Sequence, residues 1–337
     1  MRIGPIDVRE SVLVVAEIGN NHEGSFALAQ ELLGRAVEAG AGAVKFQTFV
    51  PELYVSSADP VRVERLRSFR LSIAQFERLA GQAECAGVVF ISTPFDLQSA
   101  NALNRLQSVY KIASGDNTFQ ALIDTVAGFG KPMMVSTGLA DLRLIEGLHA
   151  RVHDIWARAG VSPGLALLHC VAAYPVPLDQ ANLAAIPTLR ARFPDVVIGY
   201  SDHTMGIEAA TCAVAVGARI VEKHLTLDQH YSEFRDHRLS ADPAEFRRLV
   251  DAIRQVESMM GTGVVSMQPC EREMQVTARR SIAAVADLPA GTQLTGAHLT
   301  WVRPGTGLPP GHEAAVIGRT LAQSLRQGEL ITPGDLT

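Results

Sequence analysis

Eight short apolar runs rich in Val and Ile recur between residues 12 and 224, separated by longer stretches with helical periodicity. They are VLVVAEI (12–18), GAVKFQ (42–47), VVFIST (88–93), VYKIAS (109–114), PMMVST (132–137), LALLHC (165–170), VVIGYS (196–201) and RIVEKH (219–224). The stretches between them, such as FALAQELLGRAVEAG and LSIAQFERLAGQAECAG, are amphipathic and end at Gly, a favoured helix stop. This alternation is the signature of repeated βα units on a parallel sheet. Eight units predict a (β/α)8 barrel. A doubly wound open sheet is the competing architecture, but the GxGxxG fingerprint is absent after the first run.

Barrels run to roughly 250 residues, so a chain of 337 has room for a second, smaller unit. A last helix is expected near 242–260, with Met259 and Met260 in its core. GTGVVSMQPCEREMQ then reads as a linker. Residues 277–337 carry short strand-like pieces and turns (LPAGTQL, RPGTGLPPGHE, LRQGELITPGD), expected as a compact β-rich domain. The predicted organisation is a barrel domain at 1–260, a linker at 261–276 and a small domain at 277–337.

An apolar fraction of 47% with 19% charged residues suits a chain with a large buried core. The net charge of -5 and the scattered Lys and Arg give no reason to expect a nucleic-acid or anionic-membrane partner, so a small ligand is expected. The N-terminus lacks a secretory pattern and no stretch reaches ~18 apolar residues, which leads to the expectation of a cytoplasmic protein. Cys85, Cys170, Cys212 and Cys270 are widely spaced and expected as reduced thiols.

The runs end in groups that do chemistry: Glu17, Lys45 and Gln47, Thr93, Lys111 with Ser114, Ser136, His169, Ser201 with His203, and Glu222 with His224. In a barrel these ends converge on the face where active sites sit. Lys45 and Lys111 with the hydroxyls of Thr93, Ser114, Ser136 and Ser201 suit a ligand carrying both phosphate and carboxylate. The alternative for either lysine is a buried ion pair with Glu17 or Glu222. His203 and His224 end adjacent strands, so their imidazoles can meet on one divalent ion; the alternative for either is a hydrogen-bonded structural histidine. His169 is expected as a structural, hydrogen-bonded residue. Asp236 lies in the loop after the eighth run, suited to orienting a water or substrate hydroxyl, or to capping a turn.

The motifs AEIGNNHEG, VKFQT, FISTPFD, YKIASGD, VSTGL, LHCVAAYPVP, GYSDHT and EKHLTLD, in this order, closely resemble the N-acetylneuraminate synthase family, which includes legionaminic and pseudaminic acid synthases. Residues 277–337 resemble the antifreeze-like SAF domain of its members. The resemblance implies condensation of phosphoenolpyruvate with an N-acylated mannosamine-type sugar and water, with C–O cleavage and release of phosphate. It implies a divalent ion, typically manganese with magnesium or cobalt as alternatives, held at His203 and His224. Lys45, Thr93, Lys111, Ser114, Ser136 and Ser201 match phosphoenolpyruvate-binding positions. Gln47, Asp116 and Tyr174 match sugar-side positions, and Glu17 and Asp236 match catalytic ones. Arg303, in WVRPG, matches an Arg that meets the sugar from the partner subunit, which implies a domain-swapped homodimer.

Three departures stand out. Ala172 and Ala173 replace a polar residue that touches phosphoenolpyruvate, removing a hydrogen bond worth ~1 kcal/mol or somewhat more. Asp116 replaces a Glu, and HYSEFRDHRLSAD differs from the usual loop after the eighth strand. A synthase using a phosphorylated sugar such as arabinose 5-phosphate would need an Arg or Lys cluster at the barrel mouth, and none is evident in the sequence. A non-catalytic sugar-binding scaffold is the other alternative.

Overall fold

The computed structural model describes residues 1–337. Eight parallel strands form the barrel: β1 (Leu13–Gly19), β2 (Ala43–Thr48), β3 (Val89–Pro94), β4 (Tyr110–Ile112), β5 (Met133–Ser136), β6 (Leu165–Cys170), β7 (Val197–Asp202) and β8 (Ile220–His224). Hydrogen-bonded ladders run β3-β2-β1-β8-β7-β6-β5-β4. β3 and β4 close the ring by packing against each other. At that seam the Ser92 N–H donates to Gln107 Oε1 at 2.6 Å, so a side chain satisfies a backbone donor that lacks a strand partner.

The strands are buried on both faces, which explains their continuous apolar character. Leu13, Val15, Ile91, Met134, Leu168 and Ile220 belong to one apolar cluster inside the ring, joined by Ile3 and Val8. The latter two flank and form part of a short N-terminal hairpin, Arg2–Ile3 with Ile6–Asp7, that packs on this interior. Residues of opposite parity pack outward under the helices.

The helices that follow the strands are α1 (Phe26–Glu38), α2 (Pro60–Phe69) and α3 (Ile73–Cys85), α4 (Leu97–Leu103), α5 (Gln120–Gly128), α6 (Leu142–Ala159), α7 (Ala185–Arg192), α8 (Glu208–Ala215), and α9 (Arg235–Leu239) with α10 (Pro243–Met260). Their starts are specified locally: Ser25, Ser72, Asp141 and Asp242 each accept a backbone N–H of the first turn. Helix α10 buries Phe246, Leu249, Val250 and Ile253 at helical spacing. Met259 and Met260, expected in the core, are instead exposed, because they fall in the last turn beyond that buried stripe. No helix is long and apolar enough to cross a membrane, and all four cysteines are free thiols.

The chain divides into compact units at Met1–Gly261 and Thr262–Thr337. The second contains α11 (Arg272–Ala278), within and just past the stretch expected as linker, and this helix buries none of its residues. It also contains an antiparallel pair, β9 (Ser281–Ala284) and β10 (Leu299–Val302), with Ser281 opposite Val302. Ile282, Leu288, Leu294, Leu299, Val316, Leu321 and Ile331 form its own small core.

Candidate active site

Strand register brings the polar strand ends together. Glu17 is the ladder partner of both Lys45 and His224, Glu222 that of Ser201, and Gln47 that of Thr93. Because side chains alternate, Lys45 and Gln47, and likewise Glu222 and His224, share the inward face. The result is a cavity of about 950 Å³, lined by every residue of the first unit proposed above for binding, catalysis or metal ligation. Arg303 lies apart in sequence, exposed just after β10 in the second unit.

Four buried charges form the floor. Lys45 Nζ is 2.6 Å from Glu17 Oε2 and 3.8 Å from Glu222 Oε1, and Lys111 Nζ is 3.5 Å from the same Glu222 oxygen. Both lysines therefore have the ion pairs weighed as an alternative, and both line the cavity as well. Lys45 Nζ donates to Thr93 Oγ1 at 3.2 Å, and Ser201 Oγ donates to Glu222 Oε1 at 2.9 Å. Burial pushes the Glu222 carboxyl up, but the ammoniums of Lys111 and Lys45 together outweigh this and hold it at about 2. Burial raises Glu17 despite Lys45, and burial lowers Lys111 despite Glu222. Lys45 is shifted up, since its two carboxylates overcome burial.

Glu17 is aimed by its neighbours. Gln47 Nε2 donates to Glu17 Oε1 at 3.0 Å, and Asn20 Nδ2 donates to Gln47 Oε1 at 2.8 Å. The ladder shifts register between Glu17 and Gly19. Gly19 has φ +54°, and a Cβ there would stand 3.0 Å from Glu17 Oε1 and 3.1 Å from Gln47 Nε2. On the other side of the cavity, Ser114 Oγ accepts the Gly138 N–H at 3.1 Å, while Ser136 Oγ is buried with no protein partner. A Cβ on Gly138 would lie 2.6 Å from Ser114 Oγ, so only glycine permits this close approach. Ala172 lines the same region and offers no side-chain hydrogen bond.

The rings of His203 and His224 are 5.4 Å apart. His203 Nδ1 is 2.9 Å from the Val171 carbonyl, which can only accept, so Nδ1 carries a proton and Nε2 is the nitrogen left to bind a cation; burial lowers this ring, but Cys170 and that carbonyl shift it up overall. Burial, with the nearby cations, pushes His224 well below its ordinary value, which keeps it neutral. Its Nδ1 is buried without a hydrogen-bond partner. Tyr174 lies over His203 at 4.2 Å between ring centroids, and the Arg235 guanidinium sits 4.7 Å from the Tyr174 ring. Asp236, at the start of α9, accepts from Arg235 Nε at 3.2 Å, and burial raises its carboxyl. Asp116 is pushed up to about 6 by burial, with Oδ2 unpartnered. His169 points out of the cavity: its Nε2 is 2.9 Å from the Ala181 carbonyl and its ring stacks on Tyr200.

Some lining residues were not singled out from the sequence. Cys170, 3.8 Å from His203 Nδ1, follows from the parity of β6, since it shares the inward face with Leu168. Glu222, read from the sequence as a strand-end group and as an alternative ion-pair partner for either lysine, reaches both of them. Arg62, Arg65 and Arg235 also line the cavity, which corrects the reading that no arginine cluster exists at the mouth. Arg62 and Arg65 are three residues apart on α2, an extra helix in the loop after β2, and Arg235 comes from the loop after β8, so only the fold assembles them.

A parallel eight-stranded barrel with a charged cavity at the carboxyl ends of its strands is the architecture of a barrel enzyme. Residues 32–265 match the NeuB family and residues 279–337 match the SAF domain. The chain belongs to the NeuB family and is an enzyme of sialic-acid-synthase type. It is 36% identical over 331 residues to the N,N'-diacetyllegionaminic acid synthase of Legionella pneumophila, covering 94% of this chain and 92% of that protein. It is 30% identical to the N-acetylneuraminate-9-phosphate synthase of Homo sapiens, covering 94% and 90%. The solved N-acetylneuraminic acid synthetase of Leptospira borgpetersenii, crystallised with citrate, superposes with a TM-score of 0.76 at 32% identity. That alignment covers 81% of this chain and 94% of that one.

Proposed function

We propose that the protein condenses phosphoenolpyruvate with an N-acylated mannosamine-type sugar and water, giving a nonulosonate and phosphate. The observation that carries this reading is the single cavity in which two buried lysines and a row of hydroxyls adjoin a pair of histidines. Its size suits two small polar substrates together.

Lys45, Lys111, Thr93, Ser114, Ser136 and Ser201 would hold the phosphate and carboxylate of phosphoenolpyruvate. Fixed donors of this kind stabilise the tetrahedral species without reorganising. With all four groups charged the floor sums to zero, two lysines against Glu17 and Glu222, so a polyanionic ligand calls for further positive charge. His203 and His224 fit a divalent cation, one by the Nε2 that its Nδ1–H contact leaves free to ligate and the other by its neutral state. Bound there, manganese, or magnesium or cobalt in its place, would supply Lewis acidity toward the sugar aldehyde. Gln47, Asp116 and Tyr174 would orient the sugar. The enol carbon forms the new C–C bond to the aldehyde carbon, water adds at the carbon bearing the phosphate, and the C–O bond to phosphate then breaks. Glu17, shifted toward the protonated form by burial and held by Gln47, is suited to pass a proton, and Asp236 is the other candidate for activating water. A cytoplasmic location, and a homodimer in which Arg303 of one copy meets the sugar in the other, belong to the same proposal.

A second reading concerns the acceptor. Arg62, Arg65 and Arg235 favour a sugar carrying its own phosphate, as the name of the human relative implies for that enzyme's product. The test is phosphate release from phosphoenolpyruvate with manganese across N-acetylmannosamine, its 6-phosphate, a 2,4-diacetamido-2,4,6-trideoxy sugar and arabinose 5-phosphate. Turnover with one acylated sugar supports the synthase and names its class. Turnover with arabinose 5-phosphate alone, or with none, overturns it.

A further inference from the structure

A second pair of histidines lies outside the cavity. His149 and His153 are four residues apart on α6, so their imidazoles leave the same face, with ring centroids 4.3 Å apart. Asp195, in the turn between α7 and β7, faces both. Its Oδ2 is 2.8 Å from His149 Nε2 and 3.4 Å from His153 Nε2. One donor atom from each of the three residues lies within 4.8 Å of the other two. The turn leads into the start of β7, so the cluster sits toward the end of the barrel opposite the strand ends that build the cavity.

We propose that His149, His153 and Asp195 form a binding site for a divalent transition metal of the zinc class, separate from the catalytic cavity. Bond lengths of about 2.0–2.1 Å around a tetrahedral ion place ligand atoms about 3.3 Å apart. The two separations from Asp195 bracket that value. A hydrogen bond from His149 to Asp195 accounts for only half of the arrangement, because His153 Nε2 is shielded from solvent and makes no hydrogen bond. A shared cation gives that nitrogen a partner. Two imidazoles and one carboxylate select zinc, nickel or copper over magnesium and calcium.

The surroundings hold the donors in place. Phe193 packs on the His149 ring at 5.2 Å and Trp156 meets the His153 ring edge-on at 5.7 Å. Arg192, the neighbouring cation, is engaged by Glu146 at 2.6 Å. A cavity of about 210 Å³ beside His149 and Asp195 opens to solvent and gives an ion and its remaining waters a way in. A bound ion would tie α6 to the turn before β7.

The test is a titration of the full-length, chelator-stripped protein with zinc alone against a metal indicator. The background is the His203→Ala/His224→Ala variant, which removes the other histidine pair. One equivalent should still bind, and His149→Gln, His153→Gln or Asp195→Asn should each weaken it by roughly 10–100-fold, at least the cost of losing a supporting contact at a metal site. Should the background variant not fold, the wild-type stoichiometry should fall by one in His149→Gln/His153→Gln, with the metal-free melting temperature as control. Catalytic turnover of these surface variants should be unchanged, so the outcome does not depend on the proposed reaction. No zinc bound by the background variant, or binding indifferent to all three substitutions, overturns the proposal.

Discussion

Glu222→Gln tests the charge balance on the cavity floor with almost no change of shape. Glutamine keeps an oxygen that can accept from Ser201, so the loss is the negative charge that Lys111 meets at 3.5 Å and Lys45 at 3.8 Å. At an effective dielectric constant near 20, each contact is worth about 4–5 kcal/mol of gross Coulomb energy, most of it offset by the carboxylate's own desolvation. Removing one partner of a buried pair costs about 3–5 kcal/mol, because a charge is left unmatched. Lys45 keeps Glu17 at 2.6 Å, whereas Lys111 loses the one carboxylate within 4 Å of it. Burial already lowers Lys111, so in the variant it can shed its proton, which points to the lower end, about 3 kcal/mol. For a unit of this size about 2–4 °C is lost per kcal/mol, so the melting temperature should fall by about 6–12 °C. Calorimetry at neutral pH, with and without inorganic phosphate, provides the assay. Phosphate should restore more stability to the variant than it adds to the wild type, since an anion replaces the missing carboxylate beside Lys111. An unchanged melting temperature, or equal phosphate effects in both proteins, refutes the reasoning.

Asp116→Asn should raise stability in a pH-dependent way. Burial lifts the folded carboxyl from 3.8 to about 6, so the wild type loses stability as pH rises between these values and stays at the reduced level above them. The variant's advantage should be absent below pH 3.8, grow up to about 6 and then stay constant; a gain independent of pH in thermal melts would contradict this. Arg62→Ala/Arg65→Ala should lower kcat/KM about tenfold or more for a 6-phosphorylated acceptor while sparing the unphosphorylated one, at roughly 1.4 kcal/mol per tenfold. Equal losses for both would remove the phosphate reading of these arginines. Arg303→Ala should raise the KM for the sugar far more than that for phosphoenolpyruvate, and an unchanged sugar KM in steady-state assays would remove it from the site.

Much of the barrel is legible in the sequence because a parallel strand covered on both faces must be apolar throughout, so each of the eight announces itself. The devices that finish the ring are not. Gln107 satisfies Ser92 across the seam from outside any apolar run, and the hairpin at Arg2–Ile3 and Ile6–Asp7 is too short to leave a period. Helix α11 reads as linker because none of its residues is buried, so it carries no apolar stripe.

The site divides by the kind of information each residue needs. Lys45, Lys111, His203 and His224 mark themselves, since an ammonium or imidazole at the end of an apolar strand stands out against the run that precedes it. The place of Glu222 depends on register: only when it lies opposite Ser201 does its carboxylate come between Lys45 and Lys111. The arginines need tertiary structure altogether, because Arg62 and Arg235 are separated by most of the barrel in sequence. This order mirrors a division of labour. Strand ends fixed by ladders hold the charged floor that any phosphoenolpyruvate-like anion would meet, whereas loops, free to vary without disturbing the core, supply Arg62, Arg65 and Arg235 at the mouth. Acceptor choice should therefore follow exchange of residues 51–70 and 229–237 between relatives, and anion binding should not.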